Sequence, residues 1–287
     1  MKLLRHGPKG AEKPALLDAK GQVRDLSALL PEITPTTLSP AGLAALRGLD
    51  LNALPVVPLG ALAVPWTGMG KFPCIGLNYA DHAAEANMPL PKEPIMFMKP
   101  TSCVVGCNHA VVLPQGSVKG DWEIELGIVI GSTARYVSEA EALQFVAGYC
   151  IVNDVSEREY QIERGGQWDK GKGCDTFGPV GPWLVTTDEI ADPQGLGMWL
   201  DVNGQRRQTG NTRTMIFSAA QIVSYVSRFM TLHPGDLIAT GTPPGVGMGI
   251  KPAPVFLKAG DRMHLGIDGL GEQSQTVHAW NPELIDG

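Results

Sequence analysis

Asp121-Trp122-Glu123-Ile124-Glu125-Leu126-Gly127-Ile128-Val129-Ile130-Gly131 is the stretch that decides how this chain is read. It is an apolar, β-branched run closed by glycine, the composition of a buried strand. Side chains alternate along a strand, so Glu123 and Glu125 project from one face with Cα atoms roughly 6.6 Å apart. Ile124, Leu126 and Ile128 take the other face. Two carboxylates side by side in an apolar setting repel each other and resist leaving water. A cation between them resolves the conflict. A solvated strand face, where two glutamates cost little, is the plain alternative.

Composition bounds the rest. A chain of 287 residues with 44% hydrophobic content can bury a substantial core. The net charge of −6 and the lack of Lys/Arg clusters exclude nucleic acid as an expected partner. No apolar run reaches the length of a membrane span, and Met1-Lys2-Leu3-Leu4-Arg5-His6 lacks a signal peptide's apolar core, so a soluble, cytoplasmic protein is expected. The five cysteines, Cys74, Cys103, Cys107, Cys150 and Cys174, form no Cys-x-x-Cys pair and suit reduced thiols. Cys103 and Cys107 have zinc-ligand spacing, but no second pair follows, and buried thiols are the better reading. The 35 glycines and 23 prolines point to many short strands and tight turns.

Outward from the opening strand, Tyr149-Cys150-Ile151-Val152-Asn153-Asp154 is a second apolar strand ending in a carboxylate. If the two strands lie in adjacent sheets, Asp154 meets the paired glutamates. Three carboxylates without His or Cys make an all-oxygen site suited to magnesium, manganese or calcium. Upstream, Asn78 to Ala86 is a stretch of helix formers in which His82 and Glu85, three apart, share a face. It sits between Gly76 and the proline-rich Met88-Pro89-Leu90-Pro91-Lys92-Glu93-Pro94, the makings of a lid; an exposed His beside an exposed Glu is the alternative.

Several local signals place the remaining elements. Ala19-Lys20-Gly21-Gln22 reads as a hairpin turn, and Ser39-Pro40 opens a short helix. The uncharged, Pro/Gly-rich stretch 55–70 reads as a linker between a small N-terminal domain, residues 1–65, and a main domain, residues 71–287. Ser138-Glu139-Ala140-Glu141 and Ser218-Ala219-Ala220-Gln221 are capping boxes, each predicting a helix. In the second helix Ile222, Val223, Val226, Phe229 and Met230 form a stripe read as core. Residues 155–182 are too polar and glycine-rich for a regular element, as functional loops often are. The glycine-rich run 241–249 lacks the Gly-Lys-Ser/Thr of a phosphate loop and has prolines where a helix should begin, so nucleotide binding is not expected.

Six blocks occur in one order: Gly76-Leu77-Asn78-Tyr79-Ala80-Asp81-His82, Phe97-Met98-Lys99-Pro100, Asp121 to Leu126, Asn153-Asp154-Val155-Ser156, Lys172 to Pro179, and Pro234-Gly235-Asp236 to Gly241-Thr242-Pro243. With them the chain, from about Lys71 to Val277, resembles the fumarylacetoacetate hydrolase superfamily, and in particular its bacterial 2,4-diketo-3-deoxy sugar acid hydrolases, a group also labelled ureidoglycolate lyase or diene-dioate isomerase. The resemblance implies an α+β protein: a mixed-β catalytic domain, usually homodimeric, behind a small N-terminal α/β domain. It implies Mg²⁺ or Mn²⁺ held at Glu123, Glu125 and Asp154, and a catalytic His82–Glu85 pair on a lid helix. Lys172 matches the family's active-site lysine. Arg158 and Gln161 match polar residues beyond the metal-binding aspartate, and Thr242 matches a threonine that contacts the substrate's carboxylate end.

The implied reaction is hydrolysis of an acylpyruvate-type 2,4-dioxo acid to pyruvate and a carboxylic acid. Ureidoglycolate cleavage, isomerisation of 2-hydroxyhepta-2,4-diene-1,7-dioate and decarboxylation of oxaloacetate could use the same apparatus. A sugar-acid substrate would need hydrogen-bonding groups at its distal end; a dioate would need a cation there, for which Arg164 or Arg213 could serve. Outside catalysis, the three carboxylates could hold a structural calcium in a β-rich module.

Overall fold

A computed structural model describes residues 1–85 and 89–286. Among them the architecture is mixed α+β, dominated by strands. The largest sheet has eleven strands. Its path runs Val56–Val57, Val23–Asp25, Lys13–Leu17, Lys2–His6, Gly178–Thr186, Val146–Asn153, Ile124–Ile130, Leu237–Ala239, Pro73–Gly76, Ile95–Met98; Val104–Gly106 pairs in parallel with Gly178–Thr186 off this path. A second sheet of five orders Gln205–Asn211, Gly197–Val202, Arg262–Ile267, Gly271–His278 and Val111–Val112. A two-stranded ribbon joins Gly120–Asp121 to Ser156–Glu157.

The opening strand sits in the middle of the large sheet, and its alternation sorts two cores. Ile124, Leu126, Ile128 and Ile130 bury into one cluster with Met198, Leu200 and Leu265 of the second sheet. Val129, on the other face, packs in a cluster with Cys150, Val152, Leu184 and Leu237. Each aliphatic side chain so buried contributes roughly 1.5–3 kcal/mol. Glu123 and Glu125 belong to the parity of Val129. The regular strand begins at Ile124, so Glu123 lies just before it.

The N-terminal hairpin closes at the predicted turn, Lys13–Leu17 against Val23–Asp25. Lys2–His6 joins it to the rest of the large sheet, with Leu3 between Leu16 and Leu184. Ser39 caps the helix Pro40–Arg47 through the Gly42 N–H. The expected linker contributes the short strand Val56–Val57 and Trp66, which is buried and bonds the Gly235 carbonyl at 2.9 Å.

The two capping boxes part company. Ser218 and Gln221 make both reciprocal bonds and start the helix Ala219–Val226. Ser138 instead donates to the Glu141 carboxylate at 2.6 Å, the backbone N–H groups lose their cap, and only a 3-10 turn, Ala142–Phe145, follows. The stripe also needs correction. Ile222, Val223 and Val226 are core, but Phe229 lies past the helix end, 59% exposed and edge-on to Tyr225. Within the expected irregular region 155–182 the chain forms the strand Ser156–Glu157, a π-helical turn Glu159–Glu163, the helix Asp169–Lys172 and the strand Gly178–Thr186. The lid candidate is the helix Ala80–Glu85; Ala86 and Met88 of that expectation lie outside the described residues. No helix among the described residues is long and apolar enough to cross a membrane.

Candidate active site

Strand pairing builds the acidic centre. Ile124–Ile130 and Val146–Asn153 are antiparallel neighbours in one sheet, with Ile124 opposite Asn153, rather than members of adjacent sheets. The Asp154 N–H continues the ladder onto the Glu123 carbonyl at 2.8 Å. One carboxylate oxygen from each of Glu123, Glu125 and Asp154 falls within 4.8 Å of the others, and all three residues are buried.

Three buried cations surround this triad. Lys172 Nζ lies 2.6 Å from both Glu123 Oε2 and Asp154 Oδ2. Lys99 Nζ donates to Asp154 Oδ1 at 2.7 Å, to the Val155 carbonyl at 3.1 Å and to the Lys172 carbonyl. The Arg158 guanidinium donates to Asp121 Oδ2 at 2.8 Å, Gln161 Oε1 at 2.9 Å and Glu123 Oε1 at 2.6 Å. Four carboxylates therefore face three cations, leaving one negative charge in excess.

That excess falls on Glu125. It makes no ion pair among the described residues; its hydrogen-bond partner is the Gly241 N–H, 2.7 Å from Oε2. Burial first, then the Asp154 and Glu123 charges, push its carboxyl well above the usual range. Burial also opposes ionisation of Glu123, but Arg158 and Lys172 outweigh it and hold that carboxyl at about 2. Lys172 loses hydration on burial, yet Asp154 and Glu123 raise its proton affinity and favour the ammonium. A buried carboxylate lacking a cation, aimed at two others in an all-oxygen set, fits a hard divalent ion.

The helix Ala80–Glu85 borders the same space. His82 Nδ1 lies 3.3 Å from Glu85 Oε2, and that oxygen also accepts the Gly245 N–H at 3.1 Å. The Glu85 carboxylate thus ties the helix to the glycine-rich loop. At the root of the helix Leu77 holds φ of 49°, a left-handed conformation uncommon outside glycine. A cavity of about 290 Å³ is lined at its polar end by Glu123, Glu125, Arg158, Gln161, Lys172 and Thr242, and by His82 and Glu85 of the lid.

Three sequence candidates are already engaged within the protein. The Arg158 guanidinium spends its nitrogens on Asp121, Glu123 and Gln161. Gln161 faces the cavity with its amide nitrogen left over. The Thr242 hydroxyl donates to the Ile124 carbonyl at 2.9 Å and accepts from Gln208 Nε2 at 2.8 Å.

The family model for the fumarylacetoacetate (FAA) hydrolase C-terminal region matches residues 71–278. The chain belongs to the fumarylacetoacetate hydrolase family. A Burkholderia ambifaria protein whose name goes no further than hydrolase is 64% identical over 278 residues, 96% of this chain and 99% of that one. Fumarylacetoacetate hydrolase from Exiguobacterium antarcticum is 35% identical with a TM-score of 0.84, covering 98% of this chain and 100% of that one. Maleylpyruvate hydrolase from Sphingobium sp. SYK-6, solved with manganese(II) and pyruvate, is 31% identical with a TM-score of 0.82 over the same shares.

In this fumarylacetoacetate hydrolase family enzyme, sequence reasoning left Lys99 and Asp121 without roles, although both stood inside quoted motifs. Lys99 bonds Asp154 and Asp121 anchors Arg158, so both hold the acidic centre in place. A lysine ending the apolar strand Ile95–Met98 was the available signal: a charge beside a buried strand requires a partner.

Proposed function

We propose that this enzyme is a Mg²⁺- or Mn²⁺-dependent hydrolase that cleaves the C3–C4 bond of an acylpyruvate-type 2,4-dioxo acid, giving pyruvate and a carboxylic acid. The observation that carries the reading is one small cavity lined by Glu123, Glu125, Lys172 and the His82–Glu85 pair, with the Asp154 carboxylate buried within 4.8 Å of the two glutamates. The manganese and pyruvate in the solved maleylpyruvate hydrolase support it.

A divalent ion held by Glu123, Glu125 and Asp154 would supply Lewis-acid polarisation and a template for the 2-oxo acid end of the substrate. The chain's own groups do the rest. Glu85 sits at His82 Nδ1, which favours the tautomer with the proton on Nδ1 and leaves Nε2 to accept a proton from water. That water adds to C4. The C3–C4 electron pair then passes into the enolate of pyruvate, and the imidazolium returns the proton to C3. Lys172 spends two of its three protons on Glu123 and Asp154; the third is free to donate to the developing enolate oxygen. Isomerisation or decarboxylation would need no water attack at C4, so release of pyruvate with a carboxylic acid is the outcome that separates hydrolysis from both.

A coupled assay of pyruvate release from a simple acylpyruvate tests the reading. Turnover with Mg²⁺, loss with EDTA and recovery on adding Mg²⁺ or Mn²⁺ are expected. Release of no pyruvate from a broad acylpyruvate panel would overturn the hydrolase reading, and a protein that binds the ion yet turns over no 2-oxo acid at all would make the ion structural.

A further inference from the structure

The walls of the cavity change character away from the triad. Lys172 Nζ lies over the Phe97 ring, 5.0 Å from its centroid. Phe97 packs on Trp168 with centroids 5.5 Å apart and planes tilted by 59°. Trp168 in turn presses onto Gly76, where even a Cβ would stand 2.5 Å from Cζ3. Ile95, two residues before Phe97 on the same strand face, continues this wall, and Ile162 and Met248 add further apolar lining.

Beyond the His82–Glu85 pair and the Lys172 proton that serves the enolate oxygen, that region offers no charge to a distal group. The two cations in the cavity wall, Arg158 and Lys172, are committed to Asp121, Glu123 and Asp154. Among the described residues neither Arg164 nor Arg213 lines the cavity; Arg164 bonds Glu159 at 2.8 Å and stacks on Tyr160. The polar side chains that remain are His82 and Glu85, paired with each other, Thr242, bonded to the Ile124 carbonyl, and Gln161, whose oxygen accepts from Arg158 and whose amide nitrogen is the one donor left over. A distal carboxylate entering here would lose hydration with nothing to replace it, and a hydroxylated chain would find few partners. An apolar group gains from the same transfer. At about 290 Å³ the space is near the lower bound of ligand cavities, roughly 300–1,000 Å³, so the group must be compact.

We infer that this enzyme selects a compact, uncharged, apolar acyl group, with Phe97, Trp168 and Ile162 as the specificity wall, and discriminates against dioates and sugar acids. This rests on the acylpyruvate reading and deepens it.

The test compares two 2-oxo acids of matched shape on Mn²⁺-loaded protein by calorimetry: 6-methyl-2-oxoheptanoate, and 2-oxoadipate, whose terminal carboxylate replaces the isopropyl group. The apolar ligand is expected to bind at least about 10-fold more tightly. Trp168→Ala should erase most of that preference while leaving pyruvate affinity within about 2-fold. Ile162→Arg, at a position 48% exposed and tolerant of a long side chain, should shift the preference toward 2-oxoadipate. Equal or tighter binding of 2-oxoadipate by the unaltered protein, or binding of neither acid, overturns the inference. If the ligands bind in the expected order but no acylpyruvate releases pyruvate, the hydrolase reading fails and the selectivity stands. If pyruvate is released but succinylpyruvate outruns 4-methylpentanoylpyruvate, the selectivity fails and the hydrolase reading stands.

Discussion

Lys99 Nζ lies 2.7 Å from Asp154 Oδ1, and both side chains are wholly excluded from solvent. The pair holds one corner of the acidic triad from behind, while Lys172 takes the other Asp154 oxygen at 2.6 Å. Removing one member of such a pair strands a buried charge. Lys99→Met should therefore destabilise the protein by about 3–5 kcal/mol in urea unfolding with EDTA present. A loss below about 1 kcal/mol would show that Asp154 does not depend on Lys99.

Glu125 is the converse case, a buried carboxylate with no cation. In metal-free protein Glu125→Gln should stabilise by about 1–3 kcal/mol at neutral pH, because the amide oxygen still accepts the Gly241 N–H and the repulsion is gone. The sign is fixed by the folded-state pKa being raised. Wild-type stability without metal falls as pH climbs from about 4.3, the unfolded value, through the raised folded value. The variant lacks that slope. With Mg²⁺ at 100 times its Kd the wild type gains about 2.7 kcal/mol and the variant gains little. Thermal melts across pH, with and without Mg²⁺, check both halves.

The His82–Glu85 contact predicts a separation of chemistry from metal binding. His82→Ala should lower kcat about 100- to 10,000-fold while Mn²⁺ affinity stays within about 2-fold. Glu85→Gln keeps an acceptor for the Gly245 N–H and should cost less. Steady-state kinetics beside Mn²⁺ calorimetry read this split, and full activity in His82→Ala would remove the histidine from the reaction.

Gly245 has φ of 102°, and a Cβ there would lie 1.9 Å from the Arg207 carbonyl oxygen. Gly245→Ala must shift the loop and pull its N–H away from Glu85. A stability loss of about 1–3 kcal/mol is expected, with kcat reduced and metal affinity retained. An unchanged kcat in this variant would show that docking of Glu85 on the loop is dispensable.

The acidic centre was legible because strand parity is local: Glu123 and Glu125 had to share a side, and Ile124, Leu126 and Ile128 had to share the other. Asp154 followed from its place at the end of an apolar strand, although its strand proved to be a neighbour in the same sheet. What stayed hidden depends on chain closure. Lys99 and Asp154 are 55 residues apart, and no local pattern pairs them. Ser138 and Ser218 carry the same capping signal, yet Ser138 bonds the Glu141 carboxylate and only Ser218 starts an α-helix. Six motif blocks in one order carried the family, and the match over residues 71–278 covers the same span. The apolar wall from Phe97 to Trp168 was unreadable, because it joins a strand to a short helix that sequence reading treated as loop.

The most direct test of hydrolysis is to run the Mg²⁺-dependent reaction on an acylpyruvate in ¹⁸O-labelled water and analyse the acyl product by mass spectrometry. Water attack at C4 predicts one ¹⁸O atom in the carboxylic acid, formed in step with pyruvate. Substrate consumed without a labelled carboxylic acid, whether decarboxylated or isomerised, would contradict the account.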